Sequence, residues 1–158
     1  MTASKKTTLG WVLRLGLIFT VAGSAPAGAT DGIRWYDYAE GRALMQSEGK
    51  KGFLNFWAEW CSYCEMMEKE TFRNEAVVAY LNRNFVAIKV NSDKDTKKAA
   101  DYGVRGLPST WFLSDKGERI GNRPGYIAPK EMLNLLKYVN TGSYEKMSLD
   151  DFITRQVK

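Results

Sequence analysis

Apolar positions along this chain follow two rhythms, and the change of rhythm falls at glycines, prolines and asparagines. Residues 35–47 place Tyr36, Ala39, Ala43 and Leu44 near one face at helical spacing and stop at Gly49-Lys50-Lys51-Gly52, which predicts a helix and its end. Phe53-Leu54-Asn55-Phe56-Trp57-Ala58 shows no alternation, as expected of a central strand covered on both faces. A helix is predicted from Cys61 to about Phe72, carrying Met66 and Met67. Asn74 suits the N-cap of a further helix containing Val77, Val78 and Leu81. Phe85-Val86-Ala87-Ile88-Lys89-Val90 is rich in strand formers, and Thr96 to Tyr102 reads as a short helix ended by Gly103.

After Pro108, Thr110 to Leu113 predicts a strand joined through Asp115-Lys116-Gly117 to a partner near Glu118 to Ile120. Pro129 opens a long helix with Met132, Leu133, Leu135, Leu136 and Val139. Residues 141–158 form a helical extension in which Ser148 caps a segment holding Leu149, Phe152 and Ile153. Strands that alternate with helices, then a hairpin and a closing helix, predict an α/β fold with a mixed central sheet flanked by helices on both faces.

The first 29 residues have the layout of a secretory signal peptide. Lys5 and Lys6 start it, Leu15 to Ala22 form a short apolar core, and Ala27-Gly28-Ala29 fits a small-x-small cleavage site. An uncleaved anchor is the competing reading, but Arg14 splits the apolar stretch and leaves it well short of the ~20 residues a spanning helix needs. Cleavage after Ala29 removes Lys5, Lys6 and Arg14 and no acid, lowering the formal charge from +5 to +2. No basic block of the kind that tracks a nucleic-acid backbone remains, so nucleic acid is not an expected partner. About 129 residues are left, enough for one compact domain.

Cys61 and Cys64 are the only cysteines, in Trp60-Cys61-Ser62-Tyr63-Cys64 where the first strand gives way to a helix. A helix N-terminus stabilises a thiolate, so this spacing suits a pair that cycles between dithiol and disulfide. A zinc site needs about four ligands, and the chain has no histidine and no third cysteine. Covalent haem attachment needs a histidine after the second cysteine, where Glu65 stands. No metal and no cofactor are therefore expected. An inert structural bridge is the remaining alternative; a bridge closing so short a loop gains little from unfolded-state entropy, which favours the redox reading.

Phe56-Trp57-Ala58-Glu59-Trp60-Cys61-Ser62-Tyr63-Cys64, the following Glu68-Lys69-Glu70-Thr71-Phe72, and Gly103-Val104-Arg105-Gly106-Leu107-Pro108-Ser109-Thr110 together resemble the thioredoxin superfamily. The likeness is stronger to periplasmic thioredoxin-like domains related to the C-terminal domain of the thiol:disulfide interchange protein DsbD. It implies a thioredoxin fold over residues 30–140, an exposed Cys61 as the nucleophile, and Cys64 a turn deeper as the resolving thiol. It further implies that Pro108 follows a cis peptide bond and faces the cysteines, with Leu107 offering a backbone edge to an extended client segment. Trp60 becomes an apolar rim of the site and Gly125 leaves room for the client backbone, while Trp57 packs.

One position departs from the pattern. The family carries a buried aspartate where this chain has Asn55, and an amide cannot accept the proton of the resolving cysteine. That task falls to water or to Glu59, or is not performed.

Strong oxidants of this fold place histidine between their cysteines, and potentials across the fold span about 150 mV, or roughly 7 kcal/mol. Here the dipeptide is Ser62-Tyr63, with Glu59, Glu65 and Glu68 nearby in sequence. Those carboxylates oppose a strongly depressed thiolate pKa. The expected protein is a periplasmic monomeric reductase of client protein disulfides, recharged by a membrane electron donor of the DsbD or CcdA type. The alternatives are a disulfide oxidase or isomerase, and a non-catalytic binding or metal-chaperone module on the same fold.

Overall fold

The computed structural model describes residues 32–156, so the segment read as a signal peptide lies outside the described residues. The elements run β1 (Trp35–Tyr36), α1 (Tyr38–Glu48), β2 (Lys51–Trp57), α2 (Ser62–Glu70), α3 (Glu75–Asn84) and β3 (Phe85–Asn91). They continue with α4 (Thr96–Asp101), β4 (Ser109–Leu113), β5 (Arg119–Pro124), α5 (Pro129–Asn140), a 3-10 turn (Ser143–Glu145) and α6 (Leu149–Gln156). Five strands form one sheet in the order β1-β3-β2-β4-β5. β3 runs parallel to β1 and β2, whereas β4 is antiparallel to both β2 and β5. This is the thioredoxin fold.

The helix expected from Trp35 is corrected at its start. Trp35 and Tyr36 pair with Ala87 and Ile88 as an edge strand, and the helix begins only after Asp37, whose side chain accepts the Glu40 N–H at 2.8 Å. An aspartate cap satisfies an otherwise orphaned amide, so it sets the boundary more firmly than the apolar spacing does. Asn74 caps α3 in the same way, accepting the Val77 N–H at 3.2 Å. The strand expected to end near Ile120 runs on to Pro124.

β2 lies in the middle of the sheet, and its residues Gly52 to Phe56 are all buried. Alternate side chains go to opposite faces. Phe53 joins Phe112, Met67, Leu81, Met132 and Leu136 on one face; Leu54 and Phe56 join Ile88, Val90, Met45 and Leu113 on the other. Each large side chain taken out of water contributes about 1.5–3 kcal/mol, so the sheet is stabilised from both sides. α1 approaches β3 closely at Gly41, where an added Cβ would lie 2.4 Å from Ile88. The C-terminal extension packs back on α5: the rings of Tyr138 and Phe152 are 5.4 Å apart, and Tyr138 donates to the Met147 carbonyl at 2.6 Å. Among the described residues no helix is long and apolar enough to cross a membrane.

Candidate redox site

β2 ends at Trp57, and the chain turns through Ala58, Glu59 and Trp60 before α2 begins. Cys61 is the N-cap of α2, with extended backbone and its Sγ accepting the Cys64 N–H at 3.1 Å. The sulfur therefore sits among the unpaired amides at the positive end of the helix dipole, the environment that favours a thiolate. Cys61 and Cys64 are joined in a disulfide, with Cα atoms 5.2 Å apart. Their exposures are nearly equal, 6% and 8%, which corrects the expectation of an exposed Cys61 above a deeper Cys64. Trp57, Ala58 and Leu107 pack around both.

Leu107 touches the cysteine pair, the Leu107–Pro108 peptide is cis, and Pro108 is buried. The Pro108 carbonyl accepts the Gly125 N–H at 2.8 Å, which ties the turn after β5 to the site. Gly125 has φ +88°, a conformation that disfavours any side chain, and the space where a Cβ would stand is empty to 4 Å. The structure thus assembles Cys61, Cys64, Leu107 and Pro108, with Gly125 joined to them through one backbone bond.

Trp60 stands out from the surface at 71% exposure. Its indole Nε1 donates to Asp93 Oδ2 at 2.9 Å, and Asn91 steadies that loop by accepting the N–H groups of Asp93 and Lys94. With exposed Tyr63 and Met66 it makes an apolar rim of the kind that marks an interaction surface.

Behind the cysteines lies a cavity of about 280 Å³ lined by Asn55, Trp57, Cys61, Cys64, Glu68 and Lys89 among others. Asn55 is 2% exposed and donates from Nδ2 to Thr110 Oγ1 at 3.3 Å. Glu59 also borders the cavity, but its side chain is 72% exposed and pairs with Lys94 at 3.7 Å.

Sequence reasoning missed Lys89. Its ammonium pairs with Glu68 Oε2 at 2.5 Å and lies 4.9 Å from the Trp57 ring. The available signal was a single charge inside the otherwise apolar run from Phe85 to Val90. All three carboxylates thought to oppose a thiolate have a lysine beside them, Glu59 with Lys94, Glu65 with Lys69, and Glu68 with Lys89. The Lys69 ammonium, first by its hydrogen bond and then by its charge, holds the Glu65 carboxyl below its ordinary range. Their opposition to the thiolate is weaker than the sequence suggests.

This fold with a Cys-x-x-Cys pair at a helix start defines the class of thioredoxin-fold thiol:disulfide oxidoreductases. A family model for the thioredoxin-like domain matches residues 39–140, and the chain belongs to that family. It is 31% identical over 99 residues to the thiol:disulfide interchange protein DsbD of Actinobacillus pleuropneumoniae, covering 59% of this chain and 17% of DsbD. It is 32% identical over 92 residues to a thioredoxin of Buchnera aphidicola, covering 56% of this chain and 81% of that protein. A solved thioredoxin from Thermus thermophilus matches with a TM-score of 0.63 at 31% identity, over 68% of this chain and 86% of that one. The chain spans well under two thirds of the length of DsbD and of two other relatives, 13% and 32% in those cases.

Proposed function

We propose that this protein reduces disulfides of client proteins in the periplasm, with Cys61 as the attacking thiolate and Cys64 as the resolving thiol. The observation that carries the reading is Cys61 at the N-cap of α2, its sulfur accepting the Cys64 amide. In the reduced form Cys61 attacks one sulfur of a client disulfide and the other client sulfur leaves as a thiol. Cys64 then attacks Cys61, restoring the intramolecular disulfide and releasing the second client thiol. Leu107 and Pro108 border the pair and serve as the edge along which the client segment lies, with Gly125 leaving space beside it and Trp60 as the rim.

The reductive direction rests on the absence of a cation between the cysteines, where Ser62 and Tyr63 stand. Residues 1–29 act as the export signal, 30–140 as the catalytic domain and 141–158 as a C-terminal extension. A reductant in an oxidising compartment must be recharged, so a membrane electron donor of the DsbD or CcdA type completes the cycle, and the protein works as a monomer.

Insulin reduction followed by turbidity tests the activity, and equilibration with glutathione tests the direction. A reduction potential below about −200 mV is expected, and a value near −120 mV would make the protein an oxidant.

A further inference from the structure

Glu70 and Thr71 belong to the run that follows the cysteines, and the exchange cycle above leaves both unused. They close the far end of α2, Glu70 as its last residue and Thr71 as its C-cap. From far along the chain, the Tyr126 phenol donates to Glu70 Oε2, and the Thr71 hydroxyl donates to the Ile127 carbonyl at 2.6 Å. Both bonds reach the turn between β5 and α5, residues 125–128. Gly125 starts that turn and donates its N–H to the Pro108 carbonyl at 2.8 Å. The end of the cysteine helix is thereby connected, through one turn, to the edge that lies beside the cysteines.

We propose that the hydrogen bond from Tyr126 to Glu70 fixes the breadth of the client seat, the two residues positioning Gly125 and Pro108 relative to Cys61. The inference rests on the reading of Leu107, Pro108 and Gly125 as the surface along which the client segment lies.

The turn needs a restraint from outside itself. Gly125 has no side chain and a φ of +88°, and glycine has wide backbone freedom. Ala128, the N-cap of α5, makes no side-chain bond to its helix. α2, by contrast, is a stiff rod whose nine residues span roughly 14 Å. A restraint at Glu70 therefore sets where Cys61, at the other end of the rod, stands relative to the turn.

The two bonds hold different things. Thr71 and Ile127 are fully buried, so their bond belongs to the core, and its loss would leave a buried carbonyl unpartnered at a cost to the whole fold. Glu70 is exposed and Tyr126 half-buried. Arg123 and Glu131 bridge β5 and α5 across the base of the same turn at 2.5 Å, so removing the Tyr126 bond frees the turn to shift without opening it. The other carboxylates of α2 are engaged elsewhere, Glu65 with Lys69 and Glu68 with Lys89. A client meeting a loosened turn must bear the entropy of fixing it, which weakens binding and leaves the sulfur chemistry alone.

The test is steady-state reduction of insulin by the whole protein with dithiothreitol as the reductant, comparing Tyr126→Phe, Glu70→Ala and the double variant with the wild type. Each single variant is expected to raise KM for insulin roughly two- to tenfold, the scale of one net hydrogen bond, with a much smaller change in kcat. The double variant should be no worse than either single one, because residues that act through one shared bond are not additive. Glu70→Gln keeps an acceptor oxygen and should recover most of the affinity. An unchanged KM in both single variants overturns the proposal, as do losses that add fully in the double variant. A fall in kcat matching the rise in KM, alongside a lowered melt, overturns it too, since the pair would then merely support the fold. Wild-type protein that fails to reduce insulin removes the client-seat reading and this inference with it, whereas an active wild type with insensitive variants sinks this inference alone.

Discussion

Asn55 and Lys89 are register partners on the adjacent parallel strands β2 and β3, and both line the cavity behind the cysteines. Placing a carboxylate at position 55 would bury it at a site only 2% exposed, which costs several kcal/mol when uncompensated. Here Lys89 is at hand to offset part of that cost, though only by moving away from Glu68. Asn55→Asp is therefore expected to lower stability by about 1–3 kcal/mol, while speeding release of the mixed disulfide near pH 8. Stopped-flow rates and denaturant melts on the same samples check both. A lowered melt with an unchanged rate profile would make Asn55 a core amide held by Thr110 and nothing more.

The two cysteines should separate cleanly by role. Cys61→Ser is expected to abolish disulfide reduction, whereas Cys64→Ser still attacks but cannot resolve, so its mixed disulfide accumulates on a non-reducing gel. Because both residues are almost equally buried in the oxidised form, access alone does not rank them. What ranks them is the helix terminus at Cys61. Alkylation of the reduced protein should label Cys61 first; faster labelling of Cys64, with activity retained in Cys61→Ser, would reverse the assignment.

The central strand was legible because Phe53 to Ala58 lacks alternation, and the cysteine pair because the chain has no other thiol and no histidine. Asp37 shows why the edge strand was not: two residues, Trp35 and Tyr36, are too few to display a period of two, and their apolar side chains also continue a helical spacing. Lys89 and Glu68 were hidden for a different reason. They come together only when β3 lies beside β2 and α2 covers that face, a juxtaposition across 21 residues that no local pattern carries. Gly125 was placed by resemblance, and its bond to Pro108 is likewise a product of the folded chain.

Alkaline pH should destabilise the fold through Tyr102. Burial, and next the hydrogen bond with Tyr38, push its phenol well above the ordinary value of 10.0, and the two hydroxyl oxygens are 2.9 Å apart. The raised folded-state pKa means that this contribution is fully present below about pH 10, where an unfolded tyrosine titrates, and is lost as pH rises beyond it. Melting temperatures should fall steeply above about pH 10 in the wild type and less steeply in Tyr102→Phe. Equal slopes would show that other groups govern alkaline unfolding.

Asp93 offers a way to loosen the rim without touching the cysteines. The exposed Trp60 ring is oriented by one hydrogen bond to Asp93, and a net hydrogen bond contributes about 0.5–1.5 kcal/mol, a factor of roughly two to ten in an equilibrium constant. Asp93→Ala leaves the indole free to turn, so a client must bear the entropy of fixing it. KM for a protein disulfide is expected to rise by that factor with kcat little changed, and reduction of a small aromatic disulfide should be unaffected because it does not reach the rim. Asp93→Asn keeps an acceptor oxygen and should recover most of the affinity. Loss of kcat in step with KM, or equal loss toward the small disulfide, would mean that Asp93 supports the fold of the β3–α4 loop instead of the client-facing posture of Trp60.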